Sequence, residues 1–316
     1  MVLTGIIITI KNHYTKGIMI MKQLHLVLIL LVVLTPLLLL LQPSELAQAQ
    51  HHETTTTTTT TTSIPTIMTI SSVSNNFNSS SNIQSIQNTT VDYYNNASGY
   101  LVYPVLNPNN NTQKLPAVIM IHENRGLNDN IKDTADLLSR QGYVVLAVDL
   151  FQGQVTADPN RAMELSSVVR NNPGIAIENM KSAVRYLTSL ENVNGSRIAS
   201  LGWCFGGGQS LQLALNSEDN PLAATIIYYG NLVNDTAALS KIKWPVLGIF
   251  GDQDQAIPVD SVMQFQQALN EIGVTNEIYI YPGVGHAFAN PSGENYAPQE
   301  TADAWKKTLA FLDKYT

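Results

Sequence analysis

The chain has 316 residues, 44% of them hydrophobic, and a formal net charge of −7 at pH 7. That length suits one large domain or two small ones, and the acidic balance argues against nucleic acid or an anionic membrane surface as a partner. With one cysteine in the whole chain, no internal disulfide can form.

The first predicted element is an apolar run from Leu24 to Leu41, broken by His25, Thr35 and Pro36. Lys22 precedes it, and Ala47-Gln48-Ala49 follows in the small-x-small pattern of a signal-peptidase site. Met21 is an alternative start to Met1. The run is long for a signal-peptide core and close to the length of a bilayer span. Residues 1–49 therefore read either as a cleaved signal peptide or as an N-terminal membrane anchor through residues 24–41. Both predict an exported protein, extracellular or at the cell surface, that carries a free thiol. Loss of this segment shifts the formal charge to about −9.

Residues 50–96 read as a disordered linker. Thr54 to Thr62 is an unbroken threonine run, followed by Ser/Asn-rich sequence with too few large apolar residues to offset the entropy of ordering. Asn-x-Ser/Thr sequons at Asn78, Asn88, Asn96 and Asn110 suit a glycosylated stalk, and two more lie at Asn194 and Asn234.

Residues 97–316 carry the pattern of a folded domain. Apolar runs at 117–121, 143–148, 224–229 and 245–250, with 277–281 as a fifth, read as buried parallel strands. A further short strand is expected at 197–201. Helical stripes lie between them at Ile131/Ala135/Leu138, Ile177/Met180/Val184/Leu187 and Val262/Phe265/Leu269/Ile272, with a last one at Trp305/Leu309/Leu312. Strands alternating with amphipathic helices predict an α/β domain: a doubly wound, mostly parallel sheet flanked by helices.

In such a sheet the chemistry collects where loops leave the C-terminal ends of strands. Those loops hold His122-Glu123-Asn124-Arg125, then Asp149, then Cys204, then Asp252 and Asp254, then His286. Gly202-Trp203-Cys204-Phe205-Gly206 keeps the glycine frame of a nucleophile elbow, with sulfur in the place usually taken by a serine oxygen. The order nucleophile, acid, histidine is that of the α/β-hydrolases. A thiol needs a base near neutral pH, and the base needs an acid to hold its tautomer.

From about Gly99 to its end the chain resembles the dienelactone hydrolases (carboxymethylenebutenolidases), α/β-hydrolases with a cysteine nucleophile. The resemblance rests on residues 116–123, on 142–150 and on Gly202-Trp203-Cys204-Phe205-Gly206-Gly207. Tyr228-Tyr229-Gly230, residues 251–254 through Pro258, and Gly285-His286-Ala287-Phe288 complete it.

The resemblance implies Cys204 as nucleophile, His286 as base and Asp254 as orienting acid, with Asp252 a turn residue and Asp149 structural. It implies that Glu123 pairs with the resting thiol and takes its proton as substrate arrives. It further implies backbone oxyanion donors at Phe205 and Asn124, and neither metal nor organic cofactor. His122 is expected to pack beside the site or shape the loop, without proton transfer. Where the family has an arginine that grips a substrate carboxylate, Asn290 stands here, and Arg125 or Arg161 is the candidate replacement. The expected function is hydrolysis of small esters or lactones through a cysteine acyl-enzyme. The rival reading is a non-catalytic surface module that binds a ligand or glycan on the same fold. The sequence leaves the natural substrate and the oligomeric state open.

Overall fold

A computed structural model describes residues 83–95, 97–107 and 114–316. The apolar run 24–41, the threonine run and the sequons at Asn78, Asn96 and Asn110 lie outside the described residues. Eight strands form one sheet: β1 (Ile83–Tyr94), β2 (Ala97–Leu106), β3 (Leu115–Ile121), β4 (Val144–Val148), β5 (Val193–Trp203), β6 (Ala224–Tyr228), β7 (Val246–Gly251) and β8 (Asn276–Tyr281). Among the described residues seven helices interleave with them: α1 (Asp129–Ser139), α2 (Pro159–Asn171), α3 (Pro173–Ser189), α4 (Phe205–Leu215), α5 (Thr236–Leu239), α6 (Val259–Glu271) and α7 (Pro298–Tyr315). Among the described residues no helix is long and apolar enough to cross a membrane.

The strand order is β1-β2-β4-β3-β5-β6-β7-β8. β1 and β2 run antiparallel to each other, and β2 runs antiparallel to β4; all other neighbours are parallel. The expected mostly parallel, doubly wound sheet is thus the observed one.

Alternation along the central strands explains why their sequences are apolar at every position. Ala117, Ile119 and Ile121 of β3 belong to one buried cluster with Met180, Val184 and Leu187 of α3 and Phe265 of α6. Val118 and Met120 belong to the opposite cluster with Ile131, Ala135 and Leu138 of α1 and Phe311 of α7. Both faces are therefore covered, as a parallel sheet requires. Helix entry is set locally. Asn128 caps α1 by accepting the Ile131 amide, and Asp158 caps α2 by accepting those of Asn160 and Arg161 ahead of Pro159.

One boundary is corrected. Residues 83–94, assigned from sequence to the linker, form the edge strand β1, paired over its length with β2. Its composition is polar because eleven of its twelve residues are exposed or half-buried, with Tyr93 the one that is buried in the core. An antiparallel edge strand is held by main-chain hydrogen bonds to its partner, which composition does not report.

The chain crosses from one side of the sheet to the other between β3, which leads to β4, and β5 on the other flank. Ile121 and Gly202 pair at the top of these two strands. The loops that carry Glu123 and Cys204 therefore leave side by side, at the crevice where open α/β sheets bind ligands.

Candidate active site

Cys204 sits between β5 and α4 at φ 54°, ψ −118°, a left-handed backbone for a residue with a side chain. Such conformations cost on the order of 1–3 kcal/mol and persist where the surroundings over-determine them. Here the Cys204 amide donates to the Tyr228 carbonyl at 3.0 Å, and the Gly208 amide donates to the Cys204 carbonyl at 3.2 Å. A Cβ on Gly202 would collide with the carbonyl of Gly206, and one on Gly206 with the carbonyls of Ile121 and His122. Glycine at both positions lets the turn close and brings α4 directly against the end of β3.

The structure brings Cys204, His286 and Asp254 into one line. His286 Nε2 lies 3.1 Å from Cys204 Sγ, and Nδ1 lies 2.8 Å from Asp254 Oδ2. The other oxygen, Asp254 Oδ1, accepts the amides of Ala256 at 2.8 Å and Ile257 at 3.0 Å, which locks the carboxylate in its loop. Burial works against a charged imidazole at His286, but the Asp254 hydrogen bond and the adjacent sulfur outweigh it, and its pKa is pushed up to about 10. Burial likewise opposes ionisation of Asp254, and the His286 and backbone hydrogen bonds outweigh it and hold the carboxyl below its ordinary value. Asp252 is exposed and accepts the Gly283 amide at 2.7 Å, the turn role expected of it.

Glu123 is buried at the same edge, but its hydrogen bond goes to the amide of Asn290, not to sulfur. Asn290 Oδ1 in turn accepts from the Ser292 amide at 2.9 Å and the Ser292 hydroxyl at 2.7 Å, so its NH₂ is directed at the carboxyl. The pairing of Glu123 with the resting thiol is thus replaced by an Asn290–Glu123 pair and a His286–Cys204 pair. Burial raises the Glu123 pKa to about 7, against the lowering influence of His286, Asn290, Arg125 and Tyr229. The Tyr229 hydroxyl lies close enough to feel the Glu123 charge, yet neither it nor Glu123 Oε1 has a hydrogen bond of full geometry within the protein. Tyr229 itself holds φ 35° and sets its ring edge-on to His286 at 5.3 Å between centroids.

The two candidate substrate cations differ. Arg125 is half-buried beside Glu123 and lowers its pKa. Arg161 is exposed on α2, where its guanidinium is engaged by Gln154 and by Glu164, the latter at 2.6 Å. That engagement comes from helix spacing, since Arg161 and Glu164 stand three residues apart on one face. Phe205 is the first residue of α4, so its amide is among those with no acceptor inside the helix. Asn124 follows Glu123 in a half-buried turn.

Three contributors escaped the sequence reading. Asn290 was visible only as a missing arginine; its grip on Glu123 spans 167 positions. Tyr229 stood inside a recognised segment without a role. Tyr93 lay in the supposed linker; its hydroxyl donates to Asn179 Oδ1 at 2.7 Å and accepts the Asp149 amide at 3.0 Å. Asp149, structural as expected, accepts the amides of Phe151 and Gly153 and so closes its own loop.

Comparison with known proteins agrees with this architecture. Residues 101–316 match the sequence model of the Dienelactone hydrolase family. A protein of Saccharolobus solfataricus named "Putative carboxymethylenebutenolidase" is 30% identical over 236 residues, covering 62% of this chain and 88% of its own. A protein of Bradyrhizobium named "Probable 2-oxo-3-(5-oxofuran-2-ylidene)propanoate lactonase" is 29% identical over 224 residues, covering 67% of this chain and 87% of its own. The crystal structure of a dienelactone hydrolase from Anabaena variabilis superposes with a TM-score of 0.55 at 18% identity, over 73% of this chain and 98% of that one, a likeness of fold. With an elbow cysteine at the switch point of a mostly parallel sheet and a family match over its folded domain, this chain belongs to the dienelactone hydrolase family of α/β-hydrolases.

Proposed function

We propose that this hydrolase cleaves small esters or lactones through a Cys204–His286–Asp254 triad and a cysteine acyl-enzyme. The observation that carries the reading is the continuous path from Asp254 Oδ2 through both ring nitrogens of His286 to Cys204 Sγ, in steps of 2.8 and 3.1 Å. Each step meets the reach that proton transfer demands. The carboxylate accepts from Nδ1 and leaves Nε2 as the atom that exchanges a proton with sulfur.

In this mechanism His286 takes the thiol proton and Cys204 sulfur attacks the acyl carbon, forming the S–C bond as the carbonyl electron pair moves to oxygen. The backbone amides of Phe205 and Asn124 meet that oxyanion. Its collapse breaks the C–O bond, and the leaving alkoxide or enolate takes the proton from His286. Water then attacks the thioester and gives a proton to His286. The second collapse releases the acid, and sulfur recovers its proton. With a lactone the leaving oxygen stays tethered to the product acid. Support for a lactone comes from the name of the Bradyrhizobium relative. Arg125, whose charge reaches Glu123, is the candidate for holding an acidic substituent on the substrate. The apolar run 24–41 and the small-x-small sequence after it support export of the enzyme.

A screen of chromogenic esters and lactones tests the reading, with Cys204→Ala as control. Wild-type protein is expected to hydrolyse members of the set. One equivalent of iodoacetamide should abolish that activity, and Cys204→Ala should lose most of it while Cys204→Ser keeps a residue. Near-normal turnover by Cys204→Ala would overturn the cysteine mechanism.

A further inference from the structure

His122 is fully buried, yet it is not a passive core residue. Its Nε2 accepts the amide of Leu150 at 3.1 Å. A backbone amide can only donate, so Nε2 is the bare nitrogen and the proton is on Nδ1. The 4.0 Å approach of Nε2 to Asp149 is therefore not an ion pair. Nδ1–H points at the backbone carbonyl of Glu123, 2.6 Å away. Burial holds the ring's pKa below that of a free histidine, against the smaller raising influences of the Glu123 carbonyl and Asp149.

The Glu123 carbonyl shares its peptide plane with the Asn124 amide. In a trans peptide the two point in opposite directions, and there are no cis peptides among the described residues. Gripping the oxygen thus sets the direction of the N–H. The same carbonyl accepts the Gly126 amide at 3.3 Å, a longer contact that belongs to the turn. His122 also touches the side chain of the residue that carries the second amide. Its ring stacks on Phe205 at 5.8 Å between centroids and 22° between planes, while Phe151 packs edge-on at 4.6 Å.

From this geometry we infer that His122 is a positioning residue for the oxyanion site, aiming the Asn124 amide through the Glu123 carbonyl and seating Phe205 through its ring. The inference rests on the acyl-enzyme reading above. His122 exchanges no proton with substrate. It acts by fixing two backbone dipoles before charge develops, so that they need not reorganise in the transition state. Its own support runs outward: Leu150 belongs to the loop that Asp149 closes and Tyr93 braces from β1.

The test compares two reactions of the same sulfur. Ester hydrolysis passes through an oxyanion; alkylation of Cys204 by iodoacetamide is a direct displacement at carbon and does not. His122→Phe keeps a stacking ring and removes both hydrogen bonds. It is expected to lower kcat for a chromogenic ester about 10- to 100-fold, less than outright loss of an oxyanion donor, with KM and the alkylation rate within about twofold of wild type. A parallel fall in hydrolysis and alkylation would overturn the inference, because it would place the effect on the thiol–imidazole pair or the fold. Unchanged hydrolysis would overturn it as well. Where His122→Phe does not fold, His122→Asn and His122→Gln carry the same test. The Asn amide reaches the Nδ1 position and is expected to keep kcat well above that of the Gln variant, whose amide reaches the Nε2 position; equal kcat values would overturn the inference. Absence of hydrolysis by the wild-type protein would defeat the acyl-enzyme reading itself, a result separate from any of these.

Discussion

Two loops at the same sheet edge each present a histidine, half-buried in one and fully buried in the other, and their neighbours give the two rings opposite properties. After β8, His286 stands between a carboxylate on Nδ1 and a sulfur on Nε2, and its pKa is raised to about 10. After β3, His122 stands between a backbone carbonyl and a backbone amide, and its pKa is lowered. Burial disfavours the cation in both loops. What separates them is a carboxylate hydrogen-bonded to one ring, at 2.8 Å, where the other is bonded to backbone dipoles and has its nearest carboxylate, Asp149, 4.0 Å away. One ring is thereby equipped to carry a proton and the other to hold a backbone still. Glu123 joins the two loops, since its carbonyl faces His122 and its carboxyl feels the charge of His286.

The largest effect should come from removing the feature that sets His286 apart. Asp254→Asn replaces its carboxylate with an amide, favouring the wrong tautomer, and is expected to reduce kcat by about 10⁴-fold. Asp252→Asn keeps an acceptor for the Gly283 amide and should cost less than about tenfold. Steady-state kinetics on both variants checks this, and the reverse ranking would move the acid to Asp252.

A smaller effect is expected at Glu123, and its sign is set by linkage. Its pKa rises from an ordinary 4.5 to about 7 on folding. Between those values the folded protein holds a proton that the unfolded chain has released, so stability falls as pH rises through the window and stays at the lower level above it. Glu123→Gln removes that fall. The variant should match wild type near pH 4 and gain on it up to pH 7 by at most roughly 3 kcal/mol. Melting temperatures across that range decide the matter; parallel profiles would show that the carboxyl is as well solvated in the folded state as in the unfolded chain.

The smallest expected change lies farthest from sulfur. Tyr93→Phe leaves the Asp149 amide and Asn179 Oδ1 without their shared partner, a loss of about 1–3 kcal/mol in stability. Because Asp149 closes the loop that supplies the Leu150 amide to His122, the variant should also lower kcat, by less than His122→Phe does. Chemical denaturation together with ester kinetics checks both parts. A variant equal to wild type in both would mean that β1 pairs with the sheet without bracing the site.

By itself, the sequence determined the central sheet and the strand-top positions of Cys204, Asp254 and His286. Those features are legible because each leaves a local mark: apolar runs where both faces of a strand are buried, paired glycines where a helix must touch a strand, and chain order along a doubly wound sheet. Tertiary structure alone decided the rest. Residues 83–94 carry linker-like composition and become strand through hydrogen bonds to β2. Asn290 offers Glu123 a neutral partner across 167 positions, and His122 takes its proton on Nδ1 because Leu150, 28 positions away, donates to Nε2. Hydrogen bonds of that range depend on which loops the topology brings together, and no spacing within the chain records them.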